Sequence, residues 1–422
     1  MENKKLPFDL KVLEEIAKEY PTPFYVYDEA NIVKTCKELY SAFSWAKGYK
    51  NFFAVKATPN PYLLELLKEN NLGADCSSSN EIILSKKVGF NAEDIVFTSN
   101  NTTVEEFKLA IDAGALINFD DISHIEILSN EMELPKFISC RYNPGDSKAG
   151  NVIIGKPEEA KFGFRKEQLF KAYKMLKEKG VERFGLHAMV ASNELDEEYF
   201  ADTARMLFEL VGEIKKELEI EIETVNLGGG LGIPYKPEEK AIDLQKLGSL
   251  IKEMYETKIT PLNLKNNLRV VMENGRFITG PNGYLVTKCI NHKSIYRDYI
   301  GVDANMANLM RPGMYGAYHY ISAPGKENVK ELKEFDVVGS LCENNDKFAI
   351  NRMLPEVNRG DFLVIHDAGA HGHSMGFQYN GKLRCAELLL KTDGSIQKIR
   401  RAETPSDYFA TLDDGKYSSL AS

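Results

Sequence analysis

The sequence has little of what marks membrane, nucleic-acid-binding and secreted proteins. No run approaches the ~18 apolar residues of a membrane-spanning helix, so no membrane association is predicted. Acidic residues outnumber basic ones by 62 to 53, and the net charge of -9 gives no positive surface for nucleic acid. Residues 1–10 carry lysines without an apolar stretch behind them, and we therefore expect no signal peptide.

Cysteines are few and scattered, and no CxxC pair occurs. The six are Cys36, Cys76, Cys140, Cys289, Cys342 and Cys385. This spacing fits reduced thiols better than a disulfide framework or a zinc site, which indicates a cytoplasmic protein. A further group contains His366, Asp367, His371 and His373, but no acidic or thiol ligand set accompanies it at matching spacing. We expect no metal site.

What the sequence does contain is a long alternation of short strands and amphipathic helices. Eight apolar segments read as strands, and helical segments fall between most of them. The predicted strands are 52–57, 73–77, 94–99, 116–120, 137–142, 184–190, 224–227 and 268–273. Eight such units in about 250 residues are the size of a (β/α)8 TIM-like barrel. An open doubly wound sheet shows the same alternation, so the pattern favours the barrel without proving it.

Beyond residue 283 the pattern changes, because helices become scarce and strands dominate. The segments 284–292, 299–303, 336–342, 361–367, 387–391 and 395–402 read as strands. The 422 residues are enough for two domains, so a C-terminal all-β domain is predicted after the barrel. An earlier strand at 22–28 precedes the barrel, and the pattern does not tell which domain it joins.

Reactive groups in a barrel lie at the carboxyl ends of the strands. Here Lys56 comes near the end of the first strand, which we expect to stop just past it, and His187 and Ser192 come at the sixth. The seventh strand runs into a glycine-rich turn, Gly228, Gly229 and Gly230, and the eighth ends at Glu273 followed by Gly275 and Arg276. Each of these features also has a purely structural interpretation. Lys56 would be a solvent-exposed lysine, the glycines would form a tight turn, and Glu273 would form a surface salt bridge with Arg276.

Together these strand ends suggest pyridoxal 5'-phosphate. The aldehyde of this cofactor needs an amine, here Lys56, and its phosphate suits the backbone N–H groups of a glycine turn, to which Ser192 would add a hydroxyl. A carboxylate, here Glu273, would keep its pyridine nitrogen protonated and so make the ring a strong electron acceptor. The glycine spacing does not match the GxGxxG dinucleotide fingerprint, so a nicotinamide cofactor is a poor fit.

The chain resembles the diaminopimelate decarboxylases among the barrel-type, fold type III pyridoxal phosphate-dependent decarboxylases. The resemblance runs from about residue 22 to about residue 390 and is carried by five motifs. They are FFAVKATPNP, NLGGGLGIPY, ENGR, MRPGMYGAYH, and CENND followed by DAGAHGHSMGFQYN. It implies a cofactor-binding barrel at 30–280 and a β-sandwich or β-barrel domain formed by 1–29 and 281–422. It also implies a homodimer with active sites shared between subunits.

The resemblance assigns roles to single residues. Lys56 would hold the cofactor covalently, while Ser192, Gly228, Gly229, Gly230, Gly275, Arg276 and Tyr379 would surround its phosphate region. Arg276, Arg311, Tyr315, Glu343 and Tyr379 would bind the amino-acid substrate. Cys342 and Glu343 would be catalytic residues supplied by the other subunit. Planar arginines suit a distal carboxylate and an acidic side chain suits an ammonium, both of which meso-2,6-diaminopimelate presents.

Three positions depart from the family pattern. Met189 stands where a second histidine usually packs against the cofactor ring, Ala191 replaces a glycine, and Asn274 replaces a proline. Residues 187 and 189 share one face of the predicted strand, so we expect both to point inward. Either Met189, through a sulfur–aromatic contact, or His187 would then cover the ring.

The expected reaction is the decarboxylation of meso-2,6-diaminopimelate to L-lysine and CO2, with Lys56 or Cys342 as the proton donor. Two alternatives remain open at this stage. One is a decarboxylase of the same fold acting on ornithine, lysine, arginine or a carrier-bound amino acid. The other is a non-catalytic barrel protein that binds the cofactor, although the strand-rich C-terminal domain argues against it.

Overall fold

The computed structural model describes residues 4–148, 150, 151, 153 and 155–412. The chain divides into two compact units. The barrel unit contains residues 33–233 and 240–277, and the sheet unit combines residues 234–239 with the segments up to Ile32 and from Ile278 onward. None of the described helices is long and apolar enough to cross a membrane.

Eight parallel strands close into a barrel, which confirms the barrel prediction over the open sheet. Numbered after β1 (Phe24–Asp28), they are β2 (Lys50–Ala54), β3 (Gly73–Cys76), β4 (Ile95–Thr98), β5 (Leu116–Phe119), β6 (Phe137–Arg141), β7 (Arg183–His187), β8 (Ile222–Asn226) and β9 (Arg269–Met272). The first and last strands pair between Lys50 and Val271, so the barrel has no free edge. All strand carboxyl ends therefore face one mouth.

Helices fall between most of the barrel strands where the apolar spacing predicts them. The helices are α1 (Leu10–Glu19), α2 (Glu29–Ala42), α3 (Pro61–Glu69), α4 (Ser79–Val88), α5 (Val104–Asp112), α6 (Ser123–Glu131), α7 (Lys166–Glu178), α8 (Glu197–Leu218), α9 (Leu244–Lys258), α10 (Arg276–Thr279), α11 (Arg311–Tyr315) and α12 (Pro405–Phe409). Local caps fix their starts: Thr103 and Glu106 form a reciprocal capping box on α5. Asn60 caps α3, whose first residue is a proline.

The sheet unit is built on a nine-stranded, mostly antiparallel sheet. Besides β1 it contains β10 (Gly283–Ser294), β11 (Asp298–Val302), β12 (Ile321–Ser322), β13 (Leu332–Val338), β14 (Lys347–Pro355), β15 (Phe362–Ile365), β16 (Ala386–Leu390) and β17 (Ile396–Arg400). Strand β1 pairs antiparallel with β10 and parallel with β16, so the N-terminal strand belongs to this domain.

Two sheet strands were missed by the sequence pattern, and one was misplaced. The pattern predicts no strand at 321–322 or 347–355, where β12 and β14 lie. It places a strand at 336–342, whereas β13 ends at Val338. The reason lies in β14, whose polar residues Asn351 and Arg352 interrupt the apolar alternation that marks a strand. Its pairing with β13 supplies the backbone hydrogen bonds that fix both elements.

The core of the sheet unit follows from the alternation of side chains along β1. Phe24 and Val26 pack on one face with residues of β10, β15, β16 and α1. The intervening Tyr25 and Tyr27 are also buried, and each places its hydroxyl on an acceptor: Asn308 O at 2.7 Å and Glu387 Oε1 at 2.7 Å. β1 is therefore buried on both faces, as expected of a central strand.

Candidate active site

Lys56 lies at the barrel mouth, but two residues beyond its strand. The sequence predicts that the first strand stops just past Lys56; β2 in fact ends at Ala54, and Val55–Ala57 form a single 3-10 turn. Thr58 N closes this turn on Val55 O at 3.1 Å, and Pro59, which has no N–H, cannot continue the ladder. The turn leaves the Lys56 side chain exposed while its neighbours are buried.

Glu273, just past the end of β9, is a buried carboxylate with two partners. Asn226 Nδ2 donates to its Oε1 at 2.6 Å, and His187 Nε2 lies 3.2 Å from its Oε2. Burial raises the pKa of Glu273, but His187, Lys56 and the Asn226 amide together outweigh it and lower the pKa to about 2. Glu273 is therefore ionised at neutral pH. It has the charge that a protonated pyridine nitrogen requires.

Asp75, on β3, is a second buried carboxyl, and the sequence analysis missed it. Burial raises its pKa well above the usual range, and the charge of Glu273 raises it further, while Lys56 opposes both. The mouth thus holds two buried carboxyl groups whose pKa values are shifted in opposite directions, both in the electrostatic reach of Lys56. An acidic residue within a buried strand, as Asp75 is in β3, could have indicated a special role. The sequence pattern does not show, however, which charged groups surround it.

The glycine turn lies directly against Glu273. Gly228 and Gly230 have positive φ angles of 72° and 101°, and a Cβ on Gly229 would come within 2.3 Å of the Glu273 carbonyl oxygen. Asn226 Oδ1 accepts from Gly228 N at 2.9 Å, and Glu273 N donates to Gly228 O at 2.8 Å. Only glycine fits here, so Asn226 and Glu273 hold a turn without side chains at the ends of β8 and β9.

His187 and Met189 do not share a strand face as predicted. Because β7 ends at His187, the alternation rule does not reach Met189. His187 is buried and faces Glu273, so the structure does not present it as a ring cover. Met189 is half-buried and its Sδ accepts from Gly229 N at 3.2 Å. The methionine therefore lies on the glycine turn.

Asn274, at the position of the family's proline, makes contacts that a proline cannot. Its backbone N–H donates to Asn51 Oδ1 at 2.9 Å, and its own Oδ1 accepts from Leu231 N at 3.1 Å. Gly275 follows, and a Cβ there would come within 2.8 Å of Ala57. The substitution thus adds bonds that tie the β9 end to β2 and to the glycine turn. Arg276 is half-buried at the first position of α10.

Ser192 is half-buried in the loop after β7. Its backbone N–H donates to Asn151 Oδ1 at 3.2 Å, which joins this loop to the one after β6. The following Glu194 accepts from Asn151 Nδ2 at 2.9 Å, and its backbone pairs with Leu231 beyond the glycine turn. The barrel unit thus brings Lys56, His187, Met189, Ser192, the glycine turn, Glu273, Gly275 and Arg276 to the ends of its strands.

In the sheet unit, Arg311 is the buried member of the predicted substrate set. Its Nη1 donates to Tyr235 Oη at 2.8 Å and to His319 Nε2 at 3.0 Å, and its guanidinium lies 4.8 Å from the centre of the Tyr235 ring. His319 is held in turn, because its Nδ1 lies 2.8 Å from His366 O. The sequence analysis did not assign Tyr235 or His319 a role.

The other predicted residues of the sheet unit lie on its surface. Tyr315 is 63% exposed and Tyr379 53% exposed, Cys342 is exposed, and Glu343 is half-buried. Cys342 N donates to Asn380 Oδ1 at 2.5 Å, so the CENND loop and the segment around Tyr379 are neighbours. The described residues contain no group of three or more acidic, histidine or cysteine side chains arranged for a metal ion.

The barrel-unit residues fit pyridoxal phosphate. The turn excludes side chains at three glycines, and the backbone can be approached at half-buried Gly230, as a phosphate site requires. A buried, ionised Glu273 matches a protonated ring nitrogen, and Lys56 offers an exposed amine at the same mouth. The chemistry of these groups agrees with the prediction made from the strand ends.

Comparisons with known proteins point the same way. Residues 29–280 match the family described as "Pyridoxal-dependent decarboxylase, pyridoxal binding domain". The chain is 43% identical to Protein TabA of Pseudomonas amygdali pv. tabaci, with 94% of this chain and 92% of that protein covered. It is 37% identical to diaminopimelate decarboxylase of Methanothermobacter thermautotrophicus, with 93% and 92% covered.

A solved structure shows the same architecture. The crystal structure of diaminopimelate decarboxylase from Methanocaldococcus jannaschii in complex with L-lysine superimposes with a TM-score of 0.87 at 31% identity. The match covers 96% of this chain and 94% of that one. The similarity therefore extends over both units and is not restricted to the barrel.

Proposed function

The chain belongs to the diaminopimelate decarboxylase family of pyridoxal-dependent decarboxylases, and from that premise we propose that it converts meso-2,6-diaminopimelate to L-lysine and CO2. It is a lyase whose cofactor is pyridoxal 5'-phosphate. The observation that carries the proposal is the buried, ionised Glu273 beside a turn in which only glycine fits. The M. jannaschii relative, which binds L-lysine, supports the choice of substrate.

The bound cofactor supplies an electron-accepting ring that takes up the electron pair left when the Cα–carboxylate bond breaks. Lys56 provides the amine that holds the cofactor. Glu273 would keep the ring nitrogen protonated, and the turn of Gly228, Gly229 and Gly230 would hold the phosphate together with the hydroxyl group of Ser192. Lys56 or Cys342 returns a proton to Cα after CO2 has left.

Substrate recognition is assigned to Arg276, Arg311, Tyr315, Glu343 and Tyr379. The two arginines bind the distal carboxylate, for which a planar guanidinium provides paired donors, and Glu343 binds the distal ammonium. Support comes from Arg311, which is buried and oriented by Tyr235 and His319. An arginine fixed in this way is already ordered before the substrate arrives, which lowers the entropic cost of binding.

We further propose a cytoplasmic homodimer in which Cys342 and Glu343 serve the active site of the other subunit. Exposed Cys342, Tyr315 and Tyr379 support this arrangement, as does the absence of disulfides among the described cysteines. The barrel domain is proposed to span residues 30–280 and the second domain 1–29 with 281–422. Mixing Lys56→Arg and Cys342→Ala chains should give more activity than either variant alone if sites are shared, since one site of the hybrid is intact. No recovery would contradict sharing.

The test of the reaction is CO2 release from purified enzyme loaded with cofactor. Meso-2,6-diaminopimelate, ornithine, lysine and arginine are compared at equal concentration, and L-lysine is identified as the product. We expect turnover of diaminopimelate only. Turnover of ornithine, lysine or arginine instead would favour the same-fold alternative, and cofactor binding without any CO2 release would favour the non-catalytic one. A carrier-bound substrate is tested by adding the candidate conjugate.

A variant makes the assay specific for the distal site. Arg311→Lys keeps the charge but loses the planar pair of donors, so kcat/KM for diaminopimelate should fall by about 10- to 100-fold, the effect of losing hydrogen bonds to a charged group. Arg352→Lys is the matched control, because Arg352 also lies over a tyrosine ring, that of Tyr318, and is half-buried without an assigned substrate role. Equal losses in both variants would contradict the assignment of Arg311.

A further inference from the structure

The imidazole of His187 is fixed from behind by Asn118. The ring is 1% exposed, and its Nδ1 lies 2.8 Å from Asn118 Nδ2. The same amide donates to Thr98 Oγ1 at 3.2 Å, which fixes its orientation. Because the amide nitrogen is a donor, Nδ1 is the acceptor, and the proton of a neutral imidazole is on Nε2.

That Nε2 proton has one acidic neighbour. Nε2 lies 3.2 Å from Glu273 Oε2, close enough for an ion pair, but it is not aligned as a hydrogen bond with any described residue. The other carboxylate oxygen, Oε1, already accepts from Asn226. A buried donor without an aligned acceptor costs free energy, so a small rotation of Glu273 toward Nε2 is favourable.

We propose that His187 is a positioning residue for Glu273: its Nε2–H holds the carboxylate ionised and aimed at the cofactor's ring nitrogen, instead of covering the ring. Asn118, His187, Glu273 and Asn226 contact one another in that order, on β5, on β7, just past the end of β9 and on β8. The proposal rests on the proposed function in one respect, namely that Glu273 meets a pyridine nitrogen.

The surrounding charges explain why such a residue is needed. Asp75 and Glu273 are both buried, and the charge of Glu273 raises the pKa of Asp75, so each carboxylate disfavours ionisation of the other. Lys56 favours ionisation of both, but its amine is the group that the cofactor occupies. Once that amine is used, His187 and Asn226 are the neighbours that continue to stabilise the charge on Glu273.

The test is a double-mutant cycle on cofactor affinity, which needs no turnover. The dissociation constant of pyridoxal 5'-phosphate is measured by absorbance for wild type, His187→Gln, His187→Leu, Glu273→Gln, and His187→Leu with Glu273→Gln. We expect His187→Leu to weaken binding by about 10- to 100-fold, the loss of a hydrogen bond to a charged group. His187→Gln keeps a side-chain N–H donor, so its affinity should stay within about 5-fold of wild type.

The decisive comparison is the double variant. If His187 acts through Glu273, removing both should weaken binding no more than Glu273→Gln alone, because the coupling is lost with either partner. Additive losses, or equal losses in His187→Gln and His187→Leu, would overturn the proposal. Those outcomes would show that the ring touches the cofactor or only fills space.

A second cycle keeps the test valid if His187→Leu does not fold, as judged from the thermal unfolding of the cofactor-free protein. Asn118→Leu leaves His187 in place but removes the bond that orients it, and we expect a loss of about 3- to 10-fold that disappears in the Glu273→Gln background. A loss that persists in that background contradicts the proposal. The CO2 assay is independent, since a protein that shows the coupling but releases no CO2 would disprove only the proposed reaction.

Discussion

The two units of the molecule present their candidate site residues in opposite ways. In the barrel unit, His187, Glu273 and Asn226 are buried and contact one another. In the sheet unit, Tyr315, Tyr379 and Cys342 are exposed, and only Arg311 is buried and oriented. The three barrel residues are therefore held by contacts with one another, whereas most of the candidate residues of the sheet unit lie on its surface.

The physical reason is the cost of burying polar groups. A buried carboxylate is tolerated only with hydrogen-bonding partners, so Glu273 requires Asn226 and His187, and these in turn fix its geometry. An exposed tyrosine or thiol has water as a partner and needs no such support. The comparison teaches that the carboxylate of Glu273 is preorganised within the barrel unit, whereas the exposed candidate residues of the sheet unit are not.

The largest difference should come from the covalent attachment point. Lys56→Arg keeps the charge but cannot form the bond to the cofactor, so CO2 release should fall by more than about 10³-fold, as when a catalytic nucleophile is removed. Cys342→Ser, at an exposed position, is the sheet-unit counterpart and should lose less. Borohydride reduction followed by peptide mapping should locate the cofactor on Lys56, and a modified peptide elsewhere would contradict the assignment.

The next largest effect should be that of the ring-nitrogen partner. Glu273→Gln removes the negative charge in a buried site, and kcat should fall by about 10²- to 10³-fold, the range seen when a preorganised electrostatic partner is lost. The pKa of Glu273 is about 2, so the group stays ionised as pH falls from 8 to 5 and should not limit the rate there. Glu343→Gln is the half-buried counterpart, and it should act on KM more than on kcat.

Glycine substitutions should have smaller effects, on stability, and these should also differ between the two units. Gly229→Ala places a methyl group 2.3 Å from the Glu273 carbonyl oxygen, so the free energy of unfolding should drop by about 1–3 kcal/mol, with weakened cofactor binding. Gly316→Ala in the sheet unit meets no atom within 4 Å, and its φ of 63° alone should cost about 1 kcal/mol. Urea denaturation measures both. An unchanged free energy of unfolding in Gly229→Ala would contradict the close contact between residue 229 and the Glu273 carbonyl oxygen.

The smallest effects should have opposite signs for two buried aspartates. Burial and Glu273 raise the pKa of Asp75, so its stabilising effect is full at low pH and is lost as pH rises above the unfolded value. Asp75→Asn should therefore raise the free energy of unfolding at pH 7, and by more at pH 7 than at pH 4, because asparagine carries no charge at either pH.

Asp346 provides the contrasting case in the sheet unit. Burial raises its pKa as well, but its carboxylate accepts from Met306 N at 2.7 Å and Leu341 N at 2.8 Å, one bond on each oxygen. An asparagine offers only one oxygen, so Asp346→Asn should lower stability at pH 7 by about 1–2 kcal/mol. Urea denaturation at pH 4 and pH 7 checks both, and the same sign for the two variants would contradict this account.

Much of the fold was accessible from the order of residues alone. The eight barrel strands, the change to strands after residue 283, and Lys56, the glycine turn and Glu273 near strand ends all follow from local periodicity and turn chemistry. These sequence patterns are local. A parallel strand buried on both faces appears as a short apolar run, and a turn with a positive φ appears as a glycine. The decarboxylase family, by contrast, is shown by resemblance to known proteins and not by these local patterns.

Other features depend on residues that are distant in the chain, and the local pattern carries no trace of them. Strand β1 joins the sheet through β16, about 360 positions later, and β14 exists because β13 pairs with it. His187 faces Glu273 because β7, β8 and β9 are neighbours in a closed barrel. The pKa of Asp75 is raised by burial and by the nearby charge of Glu273. Charge and hydrogen bonding act through space, so the contacts of His187 and Met189 and the raised pKa of Asp75 follow only from the assembled barrel.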